Sequence, residues 1–412
     1  MVVDVFEVLL ARNAWEKRKL GEVADIVGGG TPSTSRPEYW NGEIDWYAPA
    51  EIGTQRYVYK SRRQITELGL EKSSAVMLPA NKTILFTSRA GIGNAAILTS
   101  PATTNQGFQS MIVNSNTDTY FLYSKIPDIK HKAIRVAAGS TFLEISGKSL
   151  SKIPIKLPIF EEQVKIGRLF LKIDNLIAAT QDKLSFLKKM KMFFLQQIFP
   201  TKNHDVPQIR FDGFTDVWSH YKLGSLMRID KEQEVKKELL TDIQKGFYVL
   251  AMRTFSMDGY IDHSKPYWLN HLDNVSDDKF LLPREFAILD ADMDANLPKI
   301  GRVLLNASSE KYLLAAHVRK IQVKSGNDPI FIYALMRGNS VHERLKLEAN
   351  GSISKRLLDK NVYKQSILVP NRSEQSKIGR LFFLLETTIT LHQQKIQMLK
   401  QVKKSCLQNL FI

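Results

Sequence analysis

Three polar stretches in the first third of the chain carry side chains suited to base edges and phosphates. Thr31, Ser33, Thr34, Ser35 and Arg36 follow the run Gly28-Gly29-Gly30 in a Gly/Pro-rich loop, Thr87, Ser88, Arg89 and Asn94 surround a turn at Gly91 and Gly93, and Thr104, Asn105, Gln106 and Gln109 form the third. Arg or Lys pairs with guanine and Asn or Gln with adenine, while hydroxyls and further cations hold phosphates. The later part of the chain offers two more clusters: Arg253, Thr254, Tyr260, His263, Lys265 and Tyr267, then Arg302, Asn306, Ser308, Ser309, Lys311, His317 and Arg319. Gly139-Ser140 and Gly351-Ser352 are candidate phosphate-binding turns, because glycine admits close backbone approach. Any one of these residues also fits an ordinary turn whose hydroxyls and amides satisfy local backbone. Recurrence in clusters raises the groups above their members. Tyr39, Trp40, Trp46 and Tyr47 either brace such a surface or belong to the core.

The sequence carries no recognisable catalytic constellation. The chain lacks a Gly-x-x-x-x-Gly-Lys-Ser/Thr phosphate loop, an Asn/Asp-Pro-Pro-Tyr/Phe methyltransferase motif and an HExxH zinc site. Gly91-Ile92-Gly93-Asn94-Ala95-Ala96 formally resembles a dinucleotide fingerprint, but neither a βαβ unit nor an acid about 20 residues on supports it. Asp290, Asp292 and Asp294 open like a calcium loop, yet Ala295 and Gly301 stand where Gly and Glu are needed, so a capping role is expected. No cofactor and no metal are expected on this chain.

Composition sets the frame for these residues. The chain has 412 residues, 58 Lys+Arg against 42 Asp+Glu for a net charge of +16, and 43% hydrophobic residues. That length divides into two or more cores, and the charge favours a polyanionic partner or serves only solubility. The single cysteine, Cys406, excludes an internal disulfide and a multi-cysteine zinc site. Asp4 and Glu7 stand where a signal peptide would need basic residues, and no apolar run reaches the roughly 18 residues of a spanning helix. A cytoplasmic location is expected.

The elements that position these clusters occur twice. A shift of 212 lays residues 161–199 on 373–411 without a gap, with 17 of 39 positions identical, including Lys165-Ile166-Gly167-Arg168-Leu169-Phe170 over Lys377-Ile378-Gly379-Arg380-Leu381-Phe382. A shift of 203 sets Trp15 and Lys19-Leu20-Gly21 on Trp218 and Lys222-Leu223-Gly224. The length change therefore falls inside a variable block whose two versions share little. Each repeated segment is free of internal proline and carries a helical apolar stripe. The stripe runs through Ile166, Leu169, Phe170, Ile173, Leu176, Ile177, Leu184 and Leu187 in the first copy, and through Ile378, Leu381, Phe382, Leu385, Ile389, Ile396 and Leu399 in the second. Helices of roughly 58 Å suit pairing with one another. Packing of each on its neighbouring domain is the alternative. The first carries seven Lys/Arg against four Asp/Glu and the second six against two, so they supply nearly half of the net charge.

With these features together, the sequence resembles a DNA specificity subunit of a type I restriction-modification system. The resemblance rests on Pro158, Glu162-Gln163 and Lys165-Ile166, repeated as Pro370, Glu374-Gln375 and Lys377-Ile378, and on Trp15 with Lys19-Leu20-Gly21. PQIRFDGFTDVW followed by Lys222-Leu223-Gly224, and VGGGTPSTSRPEYWNGEIDW, add to it. It covers essentially the whole chain. It implies a mixed α/β fold with two target-recognition domains separated by two long antiparallel helices in a coiled coil. The corresponding ranges are 1–158 for the lead-in and first recognition domain, 159–200 for the central helical region, 201–370 for the linker and second recognition domain, and 371–412 for the C-terminal helical region. Each domain would read one half of a bipartite duplex DNA target, and the helices would set the spacing and dock two methyltransferase subunits. The chain itself would not be catalytic. S-adenosylmethionine, ATP and Mg would belong to the methyltransferase and restriction/translocase partners. A DNA-modifying enzyme with an unrecognised active site and a helical scaffold without DNA are the rival readings.

Overall fold

The computed structural model describes residues 15–138, 143–200, 206–233, 235, 237–256, 258–264, 266–270, 276–294, 296–351 and 355–411. They form two compact units, one from Met1–Ala179 with Gln397–Ile412 and the other from Thr180–Ile396. Each unit thus takes parts of both long helices.

The Lys-Leu-Gly entry builds the same junction in each unit. Glu16–Lys19 pairs antiparallel with Pro154–Leu157, and Ser219–Lys222 pairs antiparallel with Ser366–Val369. The next residue then donates its amide across the junction, Leu20 to the Ile153 carbonyl at 2.9 Å and Leu223 to that of Gln365 at 3.0 Å. A Cβ on Gly21 would stand 2.8 Å from Ser151 Cβ, and one on Gly224 would stand 2.7 Å from Tyr363 Cβ. Only glycine lets these turns close.

Between entry and helix, each unit folds its variable block into small sheets; the four-stranded one of the second unit is antiparallel, and the three- and five-stranded ones are mixed. In the first, Ala24–Gly28, Gln109–Val113, Thr83–Phe86, Ala95–Leu98 and Tyr57–Val58 form a five-stranded sheet, beside a three-stranded one of Arg63–Ile65, Trp40–Tyr47 and Thr103–Thr104. In the second, Met227–Ile229, Val318–Val323, Phe286–Leu289 and Val303–Leu305 make four strands. Leu240–Thr241, Trp268–Leu269, Phe247–Leu250, Tyr312–Leu314 and Phe280–Leu281 make five. Central strands such as Thr83–Phe86 and Phe286–Leu289 are buried at every position, which explains their continuous rather than alternating apolar character.

The long helices are Phe160–Gln197 and Arg372–Leu410. Their first turns are clamped identically. The Gln163 side chain accepts the Asp118 amide at 3.1 Å and donates to the Pro158 carbonyl at 2.9 Å, while Gln375 accepts the Asp328 amide at 2.9 Å and donates to Pro370 at 3.0 Å. Asp118 and Asp328 in turn cap the short helices Thr119–Ser124 and Pro329–Arg337. A Cβ at Gly167 would lie 2.2 Å from Asp118 Oδ1, and one at Gly379 would lie 2.4 Å from Asp328 Oδ1. The repeated proline, glutamine and glycine are therefore parts of a joint.

Beyond the joint, the stripe is inward-facing in both copies. Ile166 and Phe170 pack with Phe121, Leu150 and Ile155, and Ile378, Phe382, Leu385 and Ile389 pack with Phe331 and Tyr333. Leu169, Ile173, Leu187, Ile396 and Leu399 are also buried, while Leu176, Ile177, Leu184 and Leu381 are half-buried. Helix-to-helix contacts occur within each unit. In the first, Phe170 meets Phe411 and Asp174 meets Lys403. In the second, Lys191 meets Glu386 and Phe199 stacks on Phe382. Partner numbers rise on one helix as they fall on the other, so the helices run antiparallel. Both packing modes weighed from sequence are used, the first turns burying on their own unit and later turns meeting the other helix.

His342 in the helix Asn339–Leu347 gives a pH test of the second unit. It is 2% exposed, its Nε2 donates to the Ile300 carbonyl at 3.0 Å, and burial pulls its pKa down to about 4. The folded pKa lies below the unfolded value of about 6.5, so this contribution is complete above pH 6.5 and is lost as pH falls from there to about 4. Thermal midpoints should fall over that window by the equivalent of about 3 kcal/mol, and His342→Gln should flatten the response.

Candidate nucleic-acid interface

In the first unit the structure joins the three polar stretches into one surface. The Gly30 amide donates to the Thr104 carbonyl at 2.8 Å, and Thr31 Oγ1 donates to Gln106 Oε1 at 2.6 Å. A Cβ on Gly29 would stand 1.9 Å from the Asn105 carbonyl oxygen, so the glycine run is what allows the first loop to lie on the third. The second stretch is tied in by the Ser88 amide, which donates to the Gly107 carbonyl at 2.8 Å. Gly91 and Gly93 take φ of +106° and +84° in a turn between Thr83–Phe86 and Ala95–Leu98, held by Thr87 Oγ1 donating to the Gly91 carbonyl at 2.6 Å. The formal dinucleotide fingerprint is thus a strand-to-strand turn.

This surface divides into exposed candidates and buried supports. Ser33, Thr34, Arg36, Arg89 and Gln106 are exposed, and Thr31, Asn94, Asn105 and Gln109 are half-buried. Ser88 is fully buried beside Glu144, so it anchors the loop instead of presenting a hydroxyl. Asn94 donates to the Ile52 carbonyl at 3.3 Å and accepts from Lys130 at 3.3 Å; Asn105 accepts the Gly107 amide at 2.8 Å. Trp40, Trp46 and Tyr47 are core, yet Trp46 Nε1 donates to the Gly30 carbonyl at 2.8 Å and braces the glycine loop from beneath. Arg63, which sequence reasoning missed, stacks 3.6 Å from the Trp40 ring centre. Lys130 was missed too; its hydrogen bond to Asn94 and its close approach to Gly93 place it on this surface.

The second unit corrects several expectations. Arg253 stacks 3.6 Å from the Tyr267 ring centre and donates to Asp242 at 2.8 Å. Tyr260 turns its hydroxyl inward to accept from Lys191 at 2.8 Å. Asn306 is 1% exposed and ties a turn by donating to the Leu281 and Glu310 carbonyls. Lys311 pairs with Asp277 at 3.2 Å. Arg302 is half-buried and donates to the Pro298 carbonyl at 3.2 Å. His317, at φ +73°, lies 3.4 Å from Glu232 and 3.2 Å from Asp290, and Arg319 forks onto Asp359 while reaching Asp290. Arg356 joins through Glu232 at 2.6 Å. Burial raises the Asp290 pKa; at Glu232 burial is again the largest single influence, but the hydrogen bond and charge of Arg356 together with His317 outweigh it and lower the pKa. Two guanidiniums supply the charge a cation would bring, so His317 and Arg319 serve an internal ionic lock. Asp292 and Asp294 cap their own loop, accepting the Lys299 and Asn296 amides at 2.8 Å each. Ser140, Lys265 and Ser352 lie outside the described residues.

Known proteins share this architecture. The family model for the type I restriction modification DNA specificity domain matches residues 13–189 and again 215–401. A type I restriction enzyme specificity subunit, MjaIX, from Methanocaldococcus jannaschii is 28% identical over 408 residues, covering 96% of this chain and 92% of that protein. An Escherichia coli type I specificity subunit is 33% identical over 168 residues, 39% of this chain and 41% of that one. The fold is that of the type I restriction-modification S subunit from M. genitalium, with a TM-score of 0.69, 14% identity and 98% coverage of both chains. Two matched domains spanning most of the length, on the doubled junction and clamp described above, place this chain in the type I restriction-modification DNA specificity family, whose work is recognition of DNA sequence.

Proposed function

We propose that each unit reads one half of a bipartite duplex target while the paired helices set the distance between the halves. The observation that carries this reading is the repeat of one junction and one helix clamp beneath two unrelated sets of loops. A common scaffold with different payloads suits two different half-sites. In the first unit the readers are the exposed Arg36, Arg89 and Gln106 with Thr31, Ser33, Thr34, Asn105 and Gln109. Arginine and amide side chains discriminate bases, and the hydroxyls hold phosphate.

In this reading the chain is a non-catalytic cytoplasmic subunit. Two methyltransferase subunits dock on its helical regions, and restriction/translocase subunits join the assembly. S-adenosylmethionine, ATP and Mg act on those partners. Among the described residues no helix is long and apolar enough to cross a membrane.

The ruler is tested by changing its length. Inserting or deleting one helical turn between Ile173 and Leu195, with a matching change in the second helix, should alter the spacer between half-sites and leave both half-sites unchanged. Methylated-site mapping reads both quantities. Unaltered spacing would count against the helices as the measuring element.

A further inference from the structure

The second unit contains a cavity of about 410 Å³ that the DNA-reading loops do not account for. Its lining includes Lys188 and Lys191 from the first long helix, Asp258 and Tyr260 from the loop around Gly259, and Arg302 and Arg337. Asp258 lies 3.6 Å from Lys188, and Glu386 is bound to Lys191. With Lys189, which also lines the cavity, five cations therefore meet two carboxylates there. Burial lowers the proton affinity of Lys191 and of Arg302, and Arg337 pushes both in the same direction.

Arg337 forms the enclosed floor of the cavity. It is 6% exposed, and its Nε is buried with no hydrogen-bond partner among the described residues. Its guanidinium lies 5.8 Å from the Tyr260 ring centre. Gly259, at φ +69°, makes room for it: a Cβ there would come within 3.1 Å of Arg337 Cζ and Nη1. Glu386 and the Tyr333 and Tyr260 side chains already meet the Arg337 charge and its Nε is enclosed, so the cation short of an oxyanion is Arg302, which has no ion pair among the described residues and whose proton affinity burial lowers.

We propose that this cavity binds a phosphate group, with Arg337 and Arg302 as its hydrogen-bonding floor and Lys188 and Lys191 neutralising its charge. Phosphate supplies a compact double charge and several acceptor oxygens that match guanidinium geometry. The cavity has the size of a small-ligand site, about 300–1,000 Å³. In the first unit the counterpart of the Lys191–Glu386 pair is Lys403–Asp174, with Arg56 and Tyr120 beside it. The phosphate comes either from a free ester or from a duplex backbone. The inference stands on this cavity alone and survives a failure of the half-site reading.

The test uses the full chain in phosphate-free buffer, titrated calorimetrically with inorganic phosphate, with adenosine monophosphate and with a duplex lacking the target. Inorganic phosphate should bind, and Arg302→Gln and Lys188→Gln should each weaken it about tenfold, roughly one lost charge-assisted contact. Lys188 is partly exposed, so its variant should keep the wild-type thermal midpoint and separates lost binding from lost folding. Competition between phosphate and duplex, with a salt slope reduced by about one in the variants, would assign the site to DNA backbone. Tight binding of adenosine monophosphate without competition would assign it to a free ester. No phosphate binding at about 10 mM, or binding unchanged in both variants, would overturn the proposal.

Discussion

Replacing Glu386 by alanine should destabilise the second unit by about 3–5 kcal/mol, because it strands a buried cation. Lys191 is 1% exposed and Glu386 2%. Tyr333 donates its hydroxyl to Glu386, and Lys191 donates to Tyr260 at 2.8 Å. Without the carboxylate, Lys191 keeps one tyrosine oxygen against the full loss of hydration, and its pKa, already pulled to about 7 by burial, falls further. Joint replacement by Lys191→Met and Glu386→Leu should recover only part of the loss, since it removes the Lys191 desolvation cost but still leaves Arg337 and the Tyr333 hydroxyl without their carboxylate. The repeat supplies an internal comparison. Asp174 and Lys403 occupy the equivalent positions at 2.6 Å, but the Lys403 side chain is 30% exposed. Water can therefore take over part of its solvation, and Asp174→Ala should cost only about 1–2 kcal/mol. Calorimetric unfolding of the three variants checks the order. Equal losses for Glu386→Ala and Asp174→Ala would contradict burial as the cause.

Gly379→Ala should be nearly as damaging, although it adds a single methyl group to a helix and improves local helix propensity. The new Cβ would stand 2.4 Å from Asp328 Oδ1 and 3.2 Å from the Phe331 amide nitrogen. Asp328 caps Pro329–Arg337 through the Ile330 and Phe331 amides at 3.0 Å each, so the clash displaces a helix cap and the Gln375 clamp beside it. Overpacking and loss of the cap together suggest about 2–4 kcal/mol, against a propensity gain of about 1. Gly167→Ala should do the same in the first unit through Asp118. Gly28→Ala is the control, since its nearest neighbour would be 3.8 Å away and the cost should stay within about 0.5 kcal/mol. Denaturant midpoints check the series, and a wild-type midpoint for Gly379→Ala would show that the helix can withdraw from the joint.

Those residues also show what sequence could and could not reveal. The repeat was legible because Lys-Ile-Gly-Arg-Leu-Phe recurs in register, and the helices were legible because their stripe has one period over five turns or more. The reason for the repeat was not. Gln163 acts on the amide of Asp118, 45 positions away, and nothing local in either segment announces that hydrogen bond. Sheet order was hidden for a similar reason: Tyr57–Val58 runs parallel to Ala95–Leu98, and strands of two to five residues leave little periodicity to read.

The candidate interface divides along the same line. In the first unit the polar stretches are brought together because Gly29 and Gly30 permit backbone contact with Thr104 and Asn105, a closeness the glycine run hinted at. In the second, His317, Arg319 and Asn306 have the right chemistry for DNA but spend it internally, Arg319 on a carboxylate 40 positions away. A side chain's type records what it can bond, and only the fold records what it does bond. Arg337 is the converse case. At the end of an apolar helix it reads as a solvated terminus, yet it is among the most enclosed charges in the unit.

The central claim, that one scaffold carries two separable readers, is tested most directly by exchange. Residues 22–156 should be replaced by the equivalent block of a relative with a different target, and the adenine methylation pattern of cells carrying the complete system should be sequenced. One half-site should change to the donor's while the other half-site and the spacer stay as they were. A change in both half-sites, or in the spacer, would contradict the assignment of one reader to each unit.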